Sequence, residues 1–412
     1  MTNPIANADQ FGAEDEVRAM LDLPETRQAR AHAAQLWRVG HGTDVPPDVE
    51  DDFERAMDGW LANYLFKAAA LDPIAPRFAR NFMPAYEWRG KAVPDARMGG
   101  DNPDNCYRLA GIRHGSAYRV TGRMLAECPA HVSFTLVENW GTSVTVQTLE
   151  LPDIEVDWDG RFALSIDDSP QSGRSNHMST NCRTKFLFVR DSMMDWAAET
   201  PLDLSIERIG GPQSTPLTLE ERLDEALRRV RADVPLYYWF FRLSAGRSIN
   251  TLPPPIRTAG VGGLITQASG IGRLRLEDDQ AAVVRFDPAA ARYCSLQLAM
   301  WWYHSIDAHR RQSGLTAAQA QADDDGWITT VVSASDPGIA NWVDTGGYRD
   351  LLPMIRWQGL AGVGIAPALS LSIVPLSELE GHLPQDIARV DSVARQAQLA
   401  ARCRAWDRRV TV

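Results

Sequence analysis

The apolar positions in the first hundred residues follow the spacing of amphipathic helices. Before Pro73, apolar side chains recur three and four residues apart, at Phe53, Met57, Trp60, Leu61, Tyr64, Leu65 and Ala68. Pro46-Pro47-Asp48 supplies a start for this helix and Pro73 a stop. A further helix is predicted over Ala29 to Trp37. The aromatic stripe can form the wall of a ligand site, although a buried helix face is the commoner role of such a stripe.

From about residue 100 the apolar residues recur at every second position. His131 to Leu136 and Leu202 to Glu207 alternate apolar side chains with small or polar ones, which predicts strands with one face on a core. Turn-forming stretches lie between them, at Asp157-Trp158-Asp159-Gly160 and from Ser169 to Ser175. Many short strands with such turns predict an antiparallel sandwich or jelly roll.

A helix is predicted after these strands. Thr218-Leu219-Glu220-Glu221 fits a capping box, and an apolar stripe follows it at Leu219, Leu223, Leu227 and Val230. Ile387, Val390, Ala394 and Ala397 give the end of the chain a similar stripe. Tyr237 to Phe241, an aromatic patch, and Pro253-Pro254-Pro255 are interpreted as the connector between two modules.

The chain contains an internal repeat. Leu202 to Ile206 is similar to Leu369 to Ile373, 167 positions later. Other residues match at offsets between 162 and 167: Trp140 with Trp302, Asp159-Gly160 with Asp325-Gly326, Arg183 with Arg349, Arg190 with Arg356, and Arg222, Asp224 and Arg228 with Arg389, Asp391 and Arg395. A period of this length indicates domain duplication, because solenoid repeats are far shorter.

These patterns together predict an α+β fold that is mostly β. We expect a helical N-terminal region over residues 1–95 and two tandem jelly-roll-like antiparallel β-sandwich modules, each followed by a helix. The first module spans residues 96–245 and the second 246–412. A chain of 412 residues is long enough for such a division.

The amino-acid composition argues against two classes of binding partner, nucleic acids and anionic membranes. The hydrophobic content of 44% is that of a soluble globular protein, and 42 basic against 53 acidic residues give a net charge of −11. Such a chain is unsuited to nucleic acid or anionic membranes, which require clustered cations. The basic stretch from Arg402 to Arg409 is interpreted as the last turns of a helix.

The expected location is the cytoplasm. Met1 to Gln10 shows no secretory signal, and no run of about 18 apolar residues predicts a membrane helix. The five cysteines are scattered without a CxxC pair, which is typical of reduced, structural thiols.

Short motifs recur in both modules. The first has Asp159-Gly160, Asp168-Ser169-Pro170 and Asn176-His177, and the second has Asp325-Gly326, Asp336-Pro337-Gly338 and Asn341-Trp342. With these motifs the chain resembles a bacterial family, domain of unknown function 1214, and the segment Asn102 to Tyr107 resembles the Asn-rich segment of the companion family 1254. The resemblance implies a β-rich fold and no established reaction. His177 stands where the family has Trp, which puts its role there in doubt.

The densest group of chemically capable residues runs from Trp301 to His309. His304, Asp307 and His309 fall on different faces of either a strand or a helix, so their spacing does not predict a metal site. Two interpretations remain open. Trp302 and His304 meet a ligand at a strand end, or the tryptophans pack between the sheets.

A second candidate site lies in the segment from Trp342 to Arg349. Trp342 can stack on a flat ligand, with Asp344 and Arg349 orienting its polar groups. The alternative is a structural loop with an Asp–Arg pair, which is favoured because Arg183 and Arg349 occupy matching positions in the repeat.

The third candidate lies in the first module, around Glu138, Trp140, Arg174, His177 and Arg183. Glu138 and His177 have apolar counterparts in the second module, and a His–Glu pair can act as general acid and base. The alternative is a structural His near a surface Glu. Nucleophile-elbow and Walker motifs are absent, and the glycines at 260–263 and 270–272 are interpreted as linkers and turns.

The leading hypothesis is a cofactor-independent enzyme, of lyase or hydrolase type, that acts on a hydrophobic or aromatic small molecule. Thirteen tryptophans, several beside His, Asp or Arg, suit such a pocket. Predicted catalytic residues are His177, Glu138 and His304, and predicted substrate-binding residues are Trp140, Arg183, Trp302, Trp342, Asp344 and Arg349. The alternatives are a carbohydrate-active or carbohydrate-binding sandwich and a non-catalytic interaction protein. A small-molecule ligand is the expected partner, homo-oligomerisation is open, and no metal is expected.

Overall fold

The computed structural model describes residues 3–125, 127–141, 144–257, 264, 266–361 and 367–411. The side chains of residues 244 and 245 are outside this description, as are the glycines at 260, 262 and 263 that the sequence assigns to a linker. No helix in these ranges combines the length and apolar character needed to cross a bilayer.

Three helices begin the chain: α1 (Ala8–Leu21), α2 (Pro24–His41) and α3 (Phe53–Ala70). A 3-10 helix over Pro47–Asp52 lies at the predicted start, and α3 itself begins later, at Phe53. Its end at Ala70, before Pro73, agrees with the predicted stop. Helix α1 was not predicted, because its apolar spacing is weak. Fifteen of the eighteen residues of α3 are buried, so the helix is covered on every side.

The described part of the first half has eleven strands: β1 (Ala79–Asn81), β2 (Tyr86–Trp88), β3 (Lys91–Val93), β4 (Asn105–Gly111), β5 (Ala117–Arg123), β6 (His131–Val137), β7 (Thr145–Glu150), β8 (Arg161–Asp167), β9 (His177–Ser179), β10 (Phe186–Ser192) and β11 (Asp203–Gly210). The first large sheet has the order β1-β4-β10-β6-β7, and the first small sheet β11-β5-β8-β9. Strands β2 and β3 form a separate hairpin.

Two helices follow, α4 (Leu219–Ala232) and α5 (Val234–Ala245). The capping box that starts α4 is confirmed. The aromatic patch from Tyr237 to Phe241 lies within α5, so this part of the link between the two halves is helical.

Ten strands lie in the residues of the second half that the structure describes: β12 (Ile256–Arg257), β13 (Ala268–Ile271), β14 (Leu274–Arg275), β15 (Gln280–Phe286), β16 (Tyr293–Met300), β17 (Gly314–Thr316), β18 (Ile328–Ser333), β19 (Trp342–Asp344), β20 (Asp350–Gln358) and β21 (Leu369–Pro375). Helix α6 (Ser392–Asp407) follows. The second large sheet has the order β12-β13-β20-β16-β17, with β14 also on β20, and the second small sheet β19-β18-β15-β21.

The two halves have the same strand order, which confirms the repeat at the level of topology. Each small sheet also contains one parallel pair, β8 with β9 and β18 with β19. In the large sheets, Ser133 lies opposite Arg190 and Ser295 opposite Arg356, so the register agrees with the predicted match of the two arginines. The fold is therefore mixed α+β, with N-terminal helices and several mainly antiparallel sheets in two halves, and the described strands close no barrel.

The predicted equivalences fail near the end of each half. Val120 lies opposite Ile206, and its counterpart Val284 lies opposite Leu371, so Ile206 matches Leu371 and not Ile373. A shift of two residues keeps the same side chains on the same face, which is why the sequence match looked correct. Likewise, the buried Arg222 and Arg395 each lie four residues after a helix cap, so they correspond to each other.

The two large sheets meet in the middle of the molecule. Ser192 and Gln358 occupy matching positions, and the Ser192 Oγ donates to Gln358 Oε1 at 2.6 Å. This hydrogen bond joins equivalent positions of the two halves. The outward face of the first large sheet therefore packs against the second half and the N-terminal helices.

Candidate functional site

The candidate site lies on the outward face of the first large sheet. Along β10, Leu187 and Val189 enter the core between the two sheets of the first half. The alternate residues Phe186 and Phe188 join the core that is shared with the helices. Because successive side chains of a strand point to opposite faces, Arg190 points to the same outward side as the two phenylalanines.

Helix α3 covers part of this face. Tyr64 stacks on Trp140, with ring centroids 6.2 Å apart and an interplanar angle of 6°. Asn63 donates to Ala96 O at 2.9 Å and accepts from the Asn81 side chain, which fixes the helix to strand β1. One helical turn beyond Asn63, the side chain of Lys67 enters the same layer.

Lys67 has an exposed fraction of 0%, and its Nζ forms no hydrogen bond within the described ranges. Its neighbours are aromatic: Nζ lies 4.4 Å from the ring centroid of Tyr64 and 5.3 Å from that of Phe82. Burial lowers the pKa of Lys67 to about 7, against the weaker opposing attraction of Asp233. A large fraction of this amine is therefore neutral near physiological pH, as a nucleophile or general base requires.

Three aromatic rings connect Lys67 to a second cation. Phe82 packs on Tyr107 at 5.0 Å and on Phe188 at 5.9 Å, and Tyr107 stacks on Phe188 at 5.4 Å between centroids. The guanidinium of Arg190 lies 4.2 Å from the centroid of Phe188. The rings thus form an apolar surface with a cationic side chain at each end.

Arg190 forms no ion pair within the described part of the chain. Its one hydrogen bond goes to Thr135 Oγ1 at 3.3 Å. Burial lowers the pKa of Arg190 to about 10, although Tyr107 opposes the shift. A guanidinium that keeps its charge without a carboxylate is a natural partner for an anionic group of a ligand.

The second half approaches the same place through Arg356, the counterpart of Arg190. Arg356 donates to Gln297 Oε1 and to Gly100 O, both at 2.6 Å. Burial raises the pKa of Tyr107, and the charges of Arg356 and Arg190 oppose that rise, which places Tyr107 within the electrostatic range of both arginines.

The Asn-rich segment joins the halves beside this place. Asp104 accepts hydrogen bonds from Tyr293 and Gln297, each at 2.6 Å, and Asn102 donates to Tyr293 at 2.8 Å. This polar layer is buried, and its hydrogen bonds fix the second large sheet relative to β4.

We define the Lys67 site by the residues that share this layer: Lys67, Tyr64, Phe82, Tyr107, Phe188 and Arg190. It offers a flat apolar surface, a neutral amine and an unpaired guanidinium. These groups suit an aromatic small molecule that carries a carbonyl and a negative charge.

The predicted catalytic pair of the first half does not form. His177 is fully buried and opens strand β9. Its Nδ1 contacts Ser165 Oγ at 2.8 Å and its Nε2 contacts Ser169 O at 3.1 Å, with Arg174 also at Nε2. No described contact joins His177 to Glu138.

Glu138 is held by other partners. Its Oε1 accepts from Asn181 at 3.0 Å and pairs with the exposed Arg183 at 3.0 Å. Trp140 is buried and borders the Lys67 site through Tyr64, and it also lines a cleft of about 370 Å³ with His114 and Cys182. Of the predicted first-half residues, Trp140 alone contacts the Lys67 site.

Trp302 and His304 lie in the turn after β16, and both are buried. Trp302 Nε1 donates to Val49 O at 2.6 Å, and the ring packs on Phe53, so this tryptophan holds the N-terminal helices. His304 Nε2 has no hydrogen-bond partner in the described structure, and burial, aided by Arg97, lowers the pKa of His304 to about 3. His304 is therefore uncharged at neutral pH.

Asp344 and Arg349 do not form the predicted Asp–Arg pair. Asp344 pairs with Arg311 at 3.0 Å, and Arg349 pairs with Glu277 and Asp278 at the surface. Trp342 is buried and donates to Ser333 O at 3.1 Å. In the part of the chain that the structure describes, no three His, Cys, Asp or Glu side chains are placed to hold a metal ion.

We expect His177→Ala to lower the free energy of unfolding by about 2–4 kcal/mol, because it removes a buried ring together with its hydrogen bonds to Ser165 Oγ and Ser169 O. Urea denaturation measures the change. His114→Ala, at an exposed histidine, is the matched control and should change stability by less than about 0.5 kcal/mol. Unchanged stability of His177→Ala would instead favour the predicted catalytic role.

Lys67 was missed by sequence reasoning, although the sequence holds a signal for it. Only three lysines occur in the chain, Lys67, Lys91 and Lys185, whereas arginine supplies nearly all the positive charge. One of these lysines interrupts the apolar stripe of α3. Lysine loses its proton on burial far more readily than arginine, so a lysine in an apolar helix is a candidate reactive group.

Comparison with known proteins supports the fold. Neither the protein-family models nor the curated proteins yield a match to the chain. The crystal structure of an uncharacterized protein from Burkholderia cenocepacia is similar, with a TM-score of 0.74 and 25% identity over 88% of this chain and 99% of that one. A protein from Vibrio parahaemolyticus has a TM-score of 0.40 and 12% identity over 66% of this chain and 89% of that one.

Proposed function

We propose that the protein is a cofactor-independent enzyme of lyase or hydrolase type that acts on an aromatic or hydrophobic small molecule at the Lys67 site. The observation that carries the proposal is the buried amine of Lys67, which has a lowered pKa and no described hydrogen-bond partner. Strongly shifted pKa values are concentrated at functional sites. The proposal therefore moves the chemistry from His177, Glu138 and His304 to Lys67.

The lyase form of the proposal uses a carbonyl substrate. The neutral amine adds to the carbonyl carbon and water leaves, which gives a protonated imine on Lys67. The bond between the adjacent carbon and its substituent then breaks: its electron pair forms an enamine with the imine, and the substituent leaves as a carbonyl compound or CO2. The enamine carbon takes a proton, and water hydrolyses the regenerated imine to release the product and the free amine. In the hydrolase form, the same amine takes a proton from the attacking water.

The remaining groups of the site bind and orient the substrate. The face formed by Phe82, Tyr107 and Phe188 packs on an aromatic ring, and Arg190 binds a carboxylate. Lys67 is closed off from bulk solvent, so substrate entry requires local opening between α3 and the sheet.

The test is covalent trapping with phenylpyruvate and sodium cyanoborohydride at pH 8, followed by peptide mass mapping. We expect a reduced adduct on Lys67 in preference to Lys91 and Lys185, because burial lowers the pKa of Lys67 to about 7 and leaves its amine largely neutral at this pH. Benzaldehyde serves as a probe without a carboxylate. Arg190→Met should lower trapping of phenylpyruvate about tenfold or more and leave benzaldehyde trapping nearly unchanged.

Lys67→Met, which removes the amine, and Lys185→Met, which removes another lysine, are the paired variants. Adducts that remain after Lys67→Met, or that form on Lys91 and Lys185 alone, would contradict the assignment of Lys67.

A carbohydrate-binding function is the second candidate, since one surface feature favours it. Trp158 is 96% exposed and lies between Asp157 and Asp159. A groove of about 490 Å³ adjoins it on the first small sheet, lined by Arg123, Asp203 and other polar side chains. Exposed tryptophan beside paired carboxylates is an arrangement that suits sugar rings. A non-catalytic interaction protein is the third alternative.

A further inference from the structure

An arginine-lined cleft lies away from the Lys67 site, between the segment before α3, the end of α5 and strand β14. Its volume is about 460 Å³. Its lining consists of Thr43, Asp44, Val45, Pro46, Pro47, Arg242, Gly246, Arg273, Arg275 and Trp301. We call it the arginine cleft.

Guanidiniums are the most frequent charged groups in the described lining of the arginine cleft. Arg273 and Arg275 share one buried carboxylate, that of Asp350, at 3.2 and 2.8 Å. Arg242 approaches Asp44 at 3.5 Å, and Asp44 is the only carboxylate in the described lining. The described lining therefore holds three guanidiniums and one carboxylate, and Asp350 pairs with two of those guanidiniums.

Trp301 adds an unused hydrogen-bond donor. Its indole is buried, and Nε1 has no hydrogen-bond partner among the residues described. The ring packs edge-on against Phe241 at 4.9 Å between centroids, and Arg273 lies 4.9 Å from the ring centroid. Leaving a buried N–H unpaired is unfavourable unless a ligand or water accepts from it.

We propose that the arginine cleft binds the phosphate group of a phosphorylated small molecule. Apart from Asp44, its charged side chains are guanidiniums, which match phosphate oxygens in geometry as well as charge. The cleft is also larger than a phosphate ion requires, so it accommodates part of the organic group as well. This site is independent of the Lys67 site and of the reaction proposed there.

Isothermal titration calorimetry tests the proposal, with inorganic phosphate, phenyl phosphate and benzoate as probes at constant ionic strength. We expect one site per chain, with phenyl phosphate bound at least about tenfold more tightly than benzoate. Equal affinities for phenyl phosphate and benzoate, or no heat beyond dilution with any probe, would overturn the proposal.

Variants locate the binding site. Arg242→Gln and Arg275→Gln, whose side chains are 46% and 44% exposed, should each weaken phenyl phosphate binding by about tenfold or more without loss of folding. Trp301→Phe keeps the ring, removes the N–H donor and should weaken binding severalfold. The matched control is Arg119→Gln, at an exposed arginine that pairs with Glu207 on the first small sheet. Unchanged affinity in both cleft arginine variants, or equal losses in Arg119→Gln, would reject the cleft as the site.

Discussion

Lys67→Met is expected to make the protein more stable, by about 3–5 kcal/mol at pH 6. The folded protein must hold the ammonium of Lys67 without exposure to water or a hydrogen-bond partner, and desolvation of a charge is costly. Methionine fills a similar volume without a charge. A substitution that stabilises the fold while it removes trapping would show that Lys67 is retained for a reason other than stability.

The expected gain depends on pH in a defined direction. The pKa of Lys67 is about 7 in the folded protein and about 10.4 in the unfolded chain. Between these values the unfolded chain binds a proton that the folded protein lacks, so the stability of the wild-type protein rises with pH. Below pH 7 both states are protonated and the full cost of the buried charge is present. The advantage of Lys67→Met should therefore shrink to about 1 kcal/mol or less near pH 10.

Urea denaturation of both proteins at pH 6, 8 and 10 measures this dependence. Lys91→Met is the matched control, because Lys91 is exposed and pairs with Asp15 at 2.7 Å. It should change stability by less than about 1 kcal/mol at each pH. A loss of stability in Lys67→Met at pH 6, or a difference that does not vary with pH, would show that the amine is well solvated or paired.

The sequence was sufficient for the repeat because matching strands carry matching residues at nearly constant offsets. Arg190 and Arg356 matched in the sequence and lie in equivalent registers. His177 and Trp342 also matched, and each opens the strand that pairs in parallel with its neighbour. Strand order follows from such matches, since two copies of one module share one topology.

The candidate site was harder to predict, because it depends on which faces of the sheets and helices pack against each other. Alternation in β10 indicates two faces, but it does not show that the face with Phe188 and Arg190 is covered by α3 and the second half. Arg190 was therefore matched with Arg356 in the repeat and was not among the predicted site residues. Sequence spacing also could not show that His177 lies inside a sheet, where its two nitrogens already have partners.

The sequence pattern also could not show how polar residues pair inside the first half. Arg108 and Asp191 alternate with apolar side chains in their strands and form a buried ion pair, and Arg108 also donates to Leu202 O at 2.8 Å. The strand registers place Gly270 and Trp357 at the matching positions of the second half. The repeat thus presents the same location once with an ion pair and once with a buried tryptophan.

Asp191→Ala is expected to lower the free energy of unfolding by about 3–5 kcal/mol, because it leaves the Arg108 guanidinium buried without its carboxylate. Burial raises the pKa of Asp191 even though Arg108 opposes the rise, so desolvation outweighs the attraction within the pair. The double variant Arg108→Met with Asp191→Leu should therefore recover most of the loss, as the apolar counterpart in the second half suggests. Urea denaturation at pH 7 compares both with Glu207→Ala, which breaks the exposed pair with Arg119 and should cost less than about 1 kcal/mol. A double variant as unstable as Asp191→Ala would mean that the ion pair itself, and not the isolated charge, determines the stability of this half.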